Sequence, residues 1–477
     1  MTGSGTDPRT TAATPHKTAR TSAPGARRTV IENGYVATVD GAGTEHARGH
    51  VVVEGARILA VGAGPAPAAL REGADVVDAT GCLVTPGLIN THHHLYQWLT
   101  RGYAQDSILF DWLTALYPLW SRIDAGLTGS GAAGAMAVLA RSGCTTVGDH
   151  HYIFPRGSGD IVGALVEAAG RIGVRLHATR GSMDLGASQG GLPPDFAVET
   201  TQAALTASQE AVERYHDPSP DALVQVAIAP CSPFSVTADL LRESAVLARD
   251  LGVRLHTHAS ETVEEDAYCA ERFGKSPTAY LEDLGWLGPD VWMAHCVHLD
   301  ESAIRRYAAT GTGVAHCPSS NGRLAAGIAP VHDLLTAGVA VGLGVDGAAS
   351  NESGQLGVEI RESVLMGRLR SGADSLSVRH GLWMATAGGA RVLGREADLG
   401  SLAAGMLADL VVWRVDGVEH AGILDPVAAL GLGALPPIVR SLVGGRTIVA
   451  DGALVTAEEA VIAREVAAAS RALAERL

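Results

Sequence analysis

Three consecutive histidines, His92, His93 and His94, close the apolar run GLIN. Imidazole binds borderline divalent cations and works as a general acid or base near neutral pH. Extended backbone alternates its side chains, so His92 and His94 face one way and His93 the other. Alone, such a triplet reads equally well as a solvated loop. The same chemistry recurs downstream, however. His256 and His258 share a face, Glu261 follows shortly after, and His295, His316 and Asp346 each lie near the end of another apolar run. Zinc and similar cations take histidine nitrogen and carboxylate oxygen, and in catalytic sites leave a position open for water. His92, His94 and His258 with Asp346 satisfy that chemistry, whereas His177, His256 and His316 read as ordinary buried core residues.

A bound divalent ion lowers the pKa of its water towards about 7, which makes hydroxide available as a nucleophile. A carboxylate beside that water can take its proton and hand it to a leaving nitrogen. Glu261 is the candidate for that role, while Glu264, Glu265 and Asp266 read as solvated acids at the start of a helix. Asp346 can both ligate the ion and accept the water proton, and His295 is placed to polarise the group under attack.

These residues need elements that bring them together. Between 87 and 395 the chain alternates β-branched apolar runs with Ala/Leu/Arg/Glu-rich helical stretches, the pattern of repeated βα units. There are eight such runs: GLINTHHH, CTTVGDHH, VRLHATRGS, VQVAIAPCS, VRLHTHASE, VWMAHCVH, GVAHCPSSN and AVGLGVDG. Seven carry His or Asp at or near their C-terminal ends, and the fourth carries Cys231. The pattern predicts an α/β fold, a (β/α)8 TIM barrel with its active site at the C-terminal ends of the strands. Two-metal barrels often bridge their ions with a carboxylated lysine. The two lysines here, Lys17 and Lys275, lie at no strand end, so the expectation is one divalent ion, zinc, with iron(II) as the alternative. Short-strand text at 29–86 returns at 396–455, predicting a small β-sandwich domain built from both chain ends around the barrel domain. Residues 1–28 read as a disordered tail and 456–477 as a closing helix.

Composition removes several classes. The 477 residues hold 51 acidic and 36 basic side chains, a formal net charge of −15, so nucleic acid is not an expected partner. No stretch offers about 20 uninterrupted apolar residues for a membrane span. Six cysteines without a CxxC pair suit a reducing compartment, and the cytoplasm is the expected location.

At PGLINTHHHLYQ, HTHASE, MAHCVHLDE, HCPSSN and GLGVDGAASN the chain resembles the amidohydrolase superfamily, in its metal-dependent aminohydrolase branch. The similarity runs through the closing DLGSLAAGMLADLVVW. It implies that His92, His94, His258 and Asp346 bind the metal, that Glu261 shuttles protons, and that His295 assists the electrophile. It also implies hydroxide attack on an amidine-like ring carbon, a tetrahedral intermediate and loss of ammonia. Within the branch, the resemblance at HHHLYQWLTRG, LFDWLTALYPLW and APCSPFS implies a purine-type base, 8-oxoguanine giving urate. Guanine, another aminoheterocycle or a chloro- or aminotriazine are alternatives on the same site. Adenosine-type relatives carry His where this chain has Cys231, which argues against a large nucleoside. Substrate contacts are expected from Gln97, Arg101, Trp112, Tyr117, Arg180, Ser182 and Cys231, with Trp98 narrowing or reshaping the pocket. Core packing, structural ion pairs and a buried thiol are the alternatives for these residues. Barrels of the branch usually assemble, so a homo-oligomer is expected, and a catalytically inert barrel is the competing class.

Overall fold

The computed structural model describes residues 28–476, and all of the expected tail except Arg28 lies outside them. The eight apolar runs become eight parallel strands, numbered here β1 (Leu88–Asn90), β2 (Cys144–His151), β3 (Arg175–Ser182), β4 (Val224–Pro230), β5 (Leu255–Ala259), β6 (Val291–His295), β7 (Gly313–His316) and β8 (Val341–Leu343). They pair in sequence order, β1 to β8. Just beyond the strand ends, Thr91 N donates to Leu343 O at 2.9 Å and Asp346 N to His92 O at 3.1 Å, which draws β1 and β8 together into a nearly closed TIM barrel.

The helix between β4 and β5, Ala238–Leu251, shows why the outer layer forms. The Thr237 side chain accepts from Leu240 N at its start, and Gly252 at φ 68° ends it. A residue with a Cβ pays about 1–2 kcal/mol for that left-handed conformation. Leu240, Leu241, Ser244, Ala245 and Ala248 recur at helical spacing and are its buried face.

Strands from both chain ends join in one nine-stranded mixed sheet. The join is the antiparallel pair Leu410–Arg414 and Cys82–Pro86, with Leu410 opposite Pro86. Alternation divides its side chains: Val84, Leu410 and Val412 pack within the sheet's own apolar cluster, while Leu83, Val411 and Trp413 join the barrel core. Beneath the barrel, Arg175 at the start of β3 donates to both carboxylate oxygens of Asp409 at 2.8 and 3.0 Å, and to the carbonyls of Asp221 and Ala222. The helix Glu459–Ala474 lies against the helix Ala125–Arg141. Among the described residues, no helix is long and apolar enough to cross a membrane.

Candidate active site

The lumen at the C-terminal ends of the strands is crowded with imidazole. His92, His94, His150 and His258 each bring a ligand atom within 4.8 Å of one another, and so do His92, His295 and Asp346. Hydrogen bonding sets the tautomers, because a carbonyl oxygen can only accept. His94 Nδ1 donates to His150 O at 2.5 Å and His258 Nδ1 to Cys231 O at 2.6 Å. Both rings therefore turn an Nε2 lone pair inward, and these two atoms face each other at 3.2 Å. His92 Nε2 also has no hydrogen-bond partner, and Asp346 Oδ1 lies 3.3 Å from it and 3.2 Å from His94 Nε2. Burial pushes the His92 and His258 imidazoles well below their ordinary value, so both are neutral. Burial would raise the Asp346 carboxyl, but the imidazoles of His92 and His94 beside it outweigh that and hold the group well below the usual carboxylate range. Converging lone pairs and a carboxylate, with no proton to share, repel one another unless a cation lies among them. The donor set thus fits a divalent metal, and nitrogen with carboxylate suits zinc.

The remaining polar residues are arranged around this group. Ser320 and Ser350 hydroxyls donate to Asp346 Oδ2 at 2.6 and 3.2 Å. His295 Nδ1 pairs with Asn321 Oδ1 at 2.9 Å, which leaves Nε2 3.6 Å from Glu261 Oε2 and 3.9 Å from Asp346 Oδ2. Burial, with repulsion from Asp346, pushes the Glu261 carboxyl well above the usual carboxylate range. Glu265 holds this corner in place, its two oxygens accepting from Ser260 N and Glu261 N at 2.9 Å each. Four residues here adopt positive φ without being glycine: Ser260 at 52°, His295 at 71°, Cys296 at 53° and Asp346 at 63°. Such backbone costs about 1–3 kcal/mol per residue and concentrates where side-chain placement matters more than stability.

A cavity of about 30 Å³ opens onto the group, bounded by His94, His258, Glu261, His295 and Asp346. Gln97, Trp112, Tyr117 and Cys231 line it, as do Tyr152 and Phe234. Gln97 is fully buried, and neither its amide nitrogen nor its amide oxygen has a partner. Burial pushes the Cys231 thiol up to about 12, which keeps it protonated.

Three expected contacts lie off this cavity. Arg101 is exposed, with its guanidinium 3.9 Å from the Trp98 ring centroid, and Trp98 itself packs against Gly134 and Gly354 rather than narrowing the pocket. Arg180 is held by Glu199 at 2.7 and 2.9 Å and lies over the Phe154 ring. Ser182 is buried at the end of β3, where its carbonyl accepts from Cys231 N at 2.9 Å. The outward-facing His93 is fully buried, and neither ring nitrogen has a partner.

The sequence reading missed His150, Glu265, Asn321, Ser320 and Ser350, and assigned His256 to packing. His256 faces the lumen with His258, two positions along β5, and its Nε2 lies 2.8 Å from His92 Nδ1. The alternation that selected His258 also pointed to it. His150 sits at the end of β2 in the same way, Nε2 donating to Ala229 O at 2.9 Å and the ring stacked on His258. Glu265 and Asn321 act on backbone or on another strand's side chain, so periodicity carries no signal for them.

Comparison with known proteins gives the same picture. The chain is 44% identical to the 8-oxoguanine deaminase of Pseudomonas aeruginosa, over 91% of this chain and 96% of that protein. It is 37% identical to the hydroxydechloroatrazine ethylaminohydrolase of Pseudomonas sp. strain ADP, over 83% of each. The crystal structure of atrazine chlorohydrolase from Arthrobacter aurescens TC1 complexed with zinc superposes with a TM-score of 0.88 at 32% identity, covering 93% of this chain and all of that one. The family model for amidohydrolases matches residues 83–465, the whole barrel with the strands that join the two chain ends. By fold, by the buried metal-binding group and by these matches, the chain belongs to the amidohydrolase family, as a hydrolase with a divalent-metal centre.

Proposed function

We infer that this chain is a metal-dependent hydrolytic deaminase of a heterocyclic base, with 8-oxoguanine as substrate, water as co-substrate, and urate and ammonia as products. One arrangement carries the reading: buried Glu261 and His295 beside the imidazole and Asp346 group, facing a cavity into which Gln97 turns an unpaired amide. His92, His94, His258 and Asp346 would hold the ion. When bound, a divalent ion supplies a water acidified towards about 7.

The chain's own residues then divide the work. Glu261 takes a proton from the attacking water and delivers it to the departing amino nitrogen, so the C–N bond breaks as ammonia leaves and the ring carbon keeps the oxygen. Its raised pKa suits a group that must hold that proton between the two steps. His295 turns Nε2, between the two carboxylates, towards the atom that gains charge during attack. Gln97 offers a donor and an acceptor side by side, the complement of an N–H and C=O edge on a lactam ring, and Trp112, Tyr152 and Phe234 give it aromatic walls. Lysine and arginine are absent from the described lining, which favours an uncharged ring over an anionic one.

The relative at 44% identity supports the purine, and the likeness to a zinc-bound atrazine chlorohydrolase supports a second reading, displacement of chloride or an alkylamine from a triazine. Ammonia release assayed across guanine, 8-oxoguanine, isoguanine, cytosine and an adenosine derivative, beside chloride and alkylamine release from a chlorotriazine and an alkylaminotriazine, separates them. The expected result is fastest release from 8-oxoguanine. Turnover of the triazine alone would replace the purine reading.

A further inference from the structure

The three inward-facing imidazoles are not held alike. His94 and His258 each donate Nδ1–H to a backbone carbonyl, at 2.5 and 2.6 Å, and no side-chain substitution removes those acceptors. His92 Nδ1 has a side chain opposite it instead, His256 Nε2 at 2.8 Å. The other nitrogen of His256 lies 2.9 Å from Trp292 O, and a carbonyl accepts only, so Nδ1 of His256 carries the proton. In a neutral ring that leaves Nε2 as a lone pair, His92 Nδ1 must then be the donor, and His92 Nε2 is free of its proton. Each hydrogen bond in the chain from Trp292 to His92 thus fixes the next.

Trp292 holds this chain together from below. Its indole stacks on the His256 ring at 4.3 Å and 11°, and its Nε1 donates to Thr91 O at 3.1 Å, the carbonyl just before His92. Trp292 and His256 are also direct partners in the β5–β6 register, so the stack and the carbonyl bond come from one residue pair.

We propose that His256 is a positioning residue that fixes His92 in the tautomer able to bind the metal. The inference rests on the reading of His92 as a ligand. Without an acceptor at position 256, His92 loses nothing by moving its proton to Nε2, the nitrogen that faces the ion. Partners that orient metal-bound histidines typically change metal affinity roughly 10- to 100-fold when removed.

The test is zinc affinity, measured by competition with a chromophoric chelator on the full chain for wild type, His92→Ala, His256→Phe and His256→Gln. Circular dichroism and thermal unfolding of the metal-free proteins establish that each is folded. Phe keeps a ring for the Trp292 stack and removes the acceptor, whereas Gln offers an amide oxygen to His92. The expected result is zinc binding roughly 10- to 100-fold weaker in His256→Phe, with Gln restored to within a few-fold of wild type. Wild-type affinity in His256→Phe overturns the inference, and so does an equal loss in Phe and Gln. Should the Phe variant not fold, His256→Leu carries the same comparison. Unchanged zinc binding in His92→Ala overturns the ligand reading and this inference together. Loss in His92→Ala without loss in His256→Phe overturns this inference alone.

Discussion

Glu261 and Asp346 are both buried carboxylates at the metal group, yet their surroundings drive them in opposite directions, Glu261 up and Asp346 down. A pair separated in this way suits one group that exchanges protons and one that stays charged. Glu261→Gln is therefore expected to retain zinc while turnover falls roughly 10²- to 10⁴-fold, the usual scale for a lost general acid–base group. Metal analysis beside steady-state kinetics checks this, and unchanged turnover would remove Glu261 from the chemistry. Gln97→Leu removes an amide that finds no partner inside the protein, so the loss should appear with substrate, about 1–3 kcal/mol in kcat/KM, and not as lower thermal stability. At this scale the sequence was informative for side chains that face the lumen from a strand end, because alternation alone orients them. It was uninformative for Arg101 and Arg180, whose long side chains reach Trp98 and Glu199 instead.

The elements explain why placement is accurate where the backbone is strained. Ser260 and Glu261 are pinned by the Glu265 carboxylate from the first turn of the helix Val263–Phe273. Glu265→Gln leaves one oxygen where two backbone N–H groups need acceptors, so turnover should fall with zinc content unchanged, and equal kinetics would contradict that role. The helix Leu109–Trp120 covers the cavity with Leu109, Trp112, Leu113 and Tyr117, and Trp112 Nε1 donates to Ala349 O at 3.2 Å. A space of about 30 Å³ is far below the roughly 300 Å³ or more of typical ligand sites. Entry of a bicyclic base requires these walls to move, and hydrogen exchange in the helix should slow when substrate analogue is bound. The eight strands were legible because each is a short apolar run bounded by helix signals. The bonds His94 makes to His150 O and His258 makes to Cys231 O were not, since they depend on which neighbouring carbonyl the closed barrel brings opposite each ring.

Across the whole molecule, a buried ion pair, Arg175 with Asp409, ties the two sheets. Removing one partner strands the other charge, so Arg175→Ala should cost about 3–5 kcal/mol in chemical unfolding, and replacing both residues by apolar ones should cost less. The protonation balance sets the pH response. Eight buried histidines are held below their ordinary value by burial: His92, His93, His150, His151, His177, His256, His258 and His316. As pH falls through about 6.5 the unfolded chain takes up these protons and the native state does not, so stability falls. Four buried acids act oppositely: Asp149, Glu265 and Glu359 are pushed up to about 7 and Glu261 well above the usual carboxylate range, so the native state gains from protonation. Eight against four predicts that the metal-free protein loses stability between about pH 7 and about pH 5 in urea unfolding, and a gain would contradict the balance. The union of the chain ends was readable from two patches of short strands; their fusion into one sheet was not, because only the pairing of Leu410–Arg414 with Cys82–Pro86 shows that the edges meet. The most direct test of the metal-centred account is a titration of metal-free protein with zinc, following ammonia release from 8-oxoguanine against bound metal. Release that rises in proportion and levels off at one equivalent is the expected result; release that is full without metal, or absent at saturation, contradicts it.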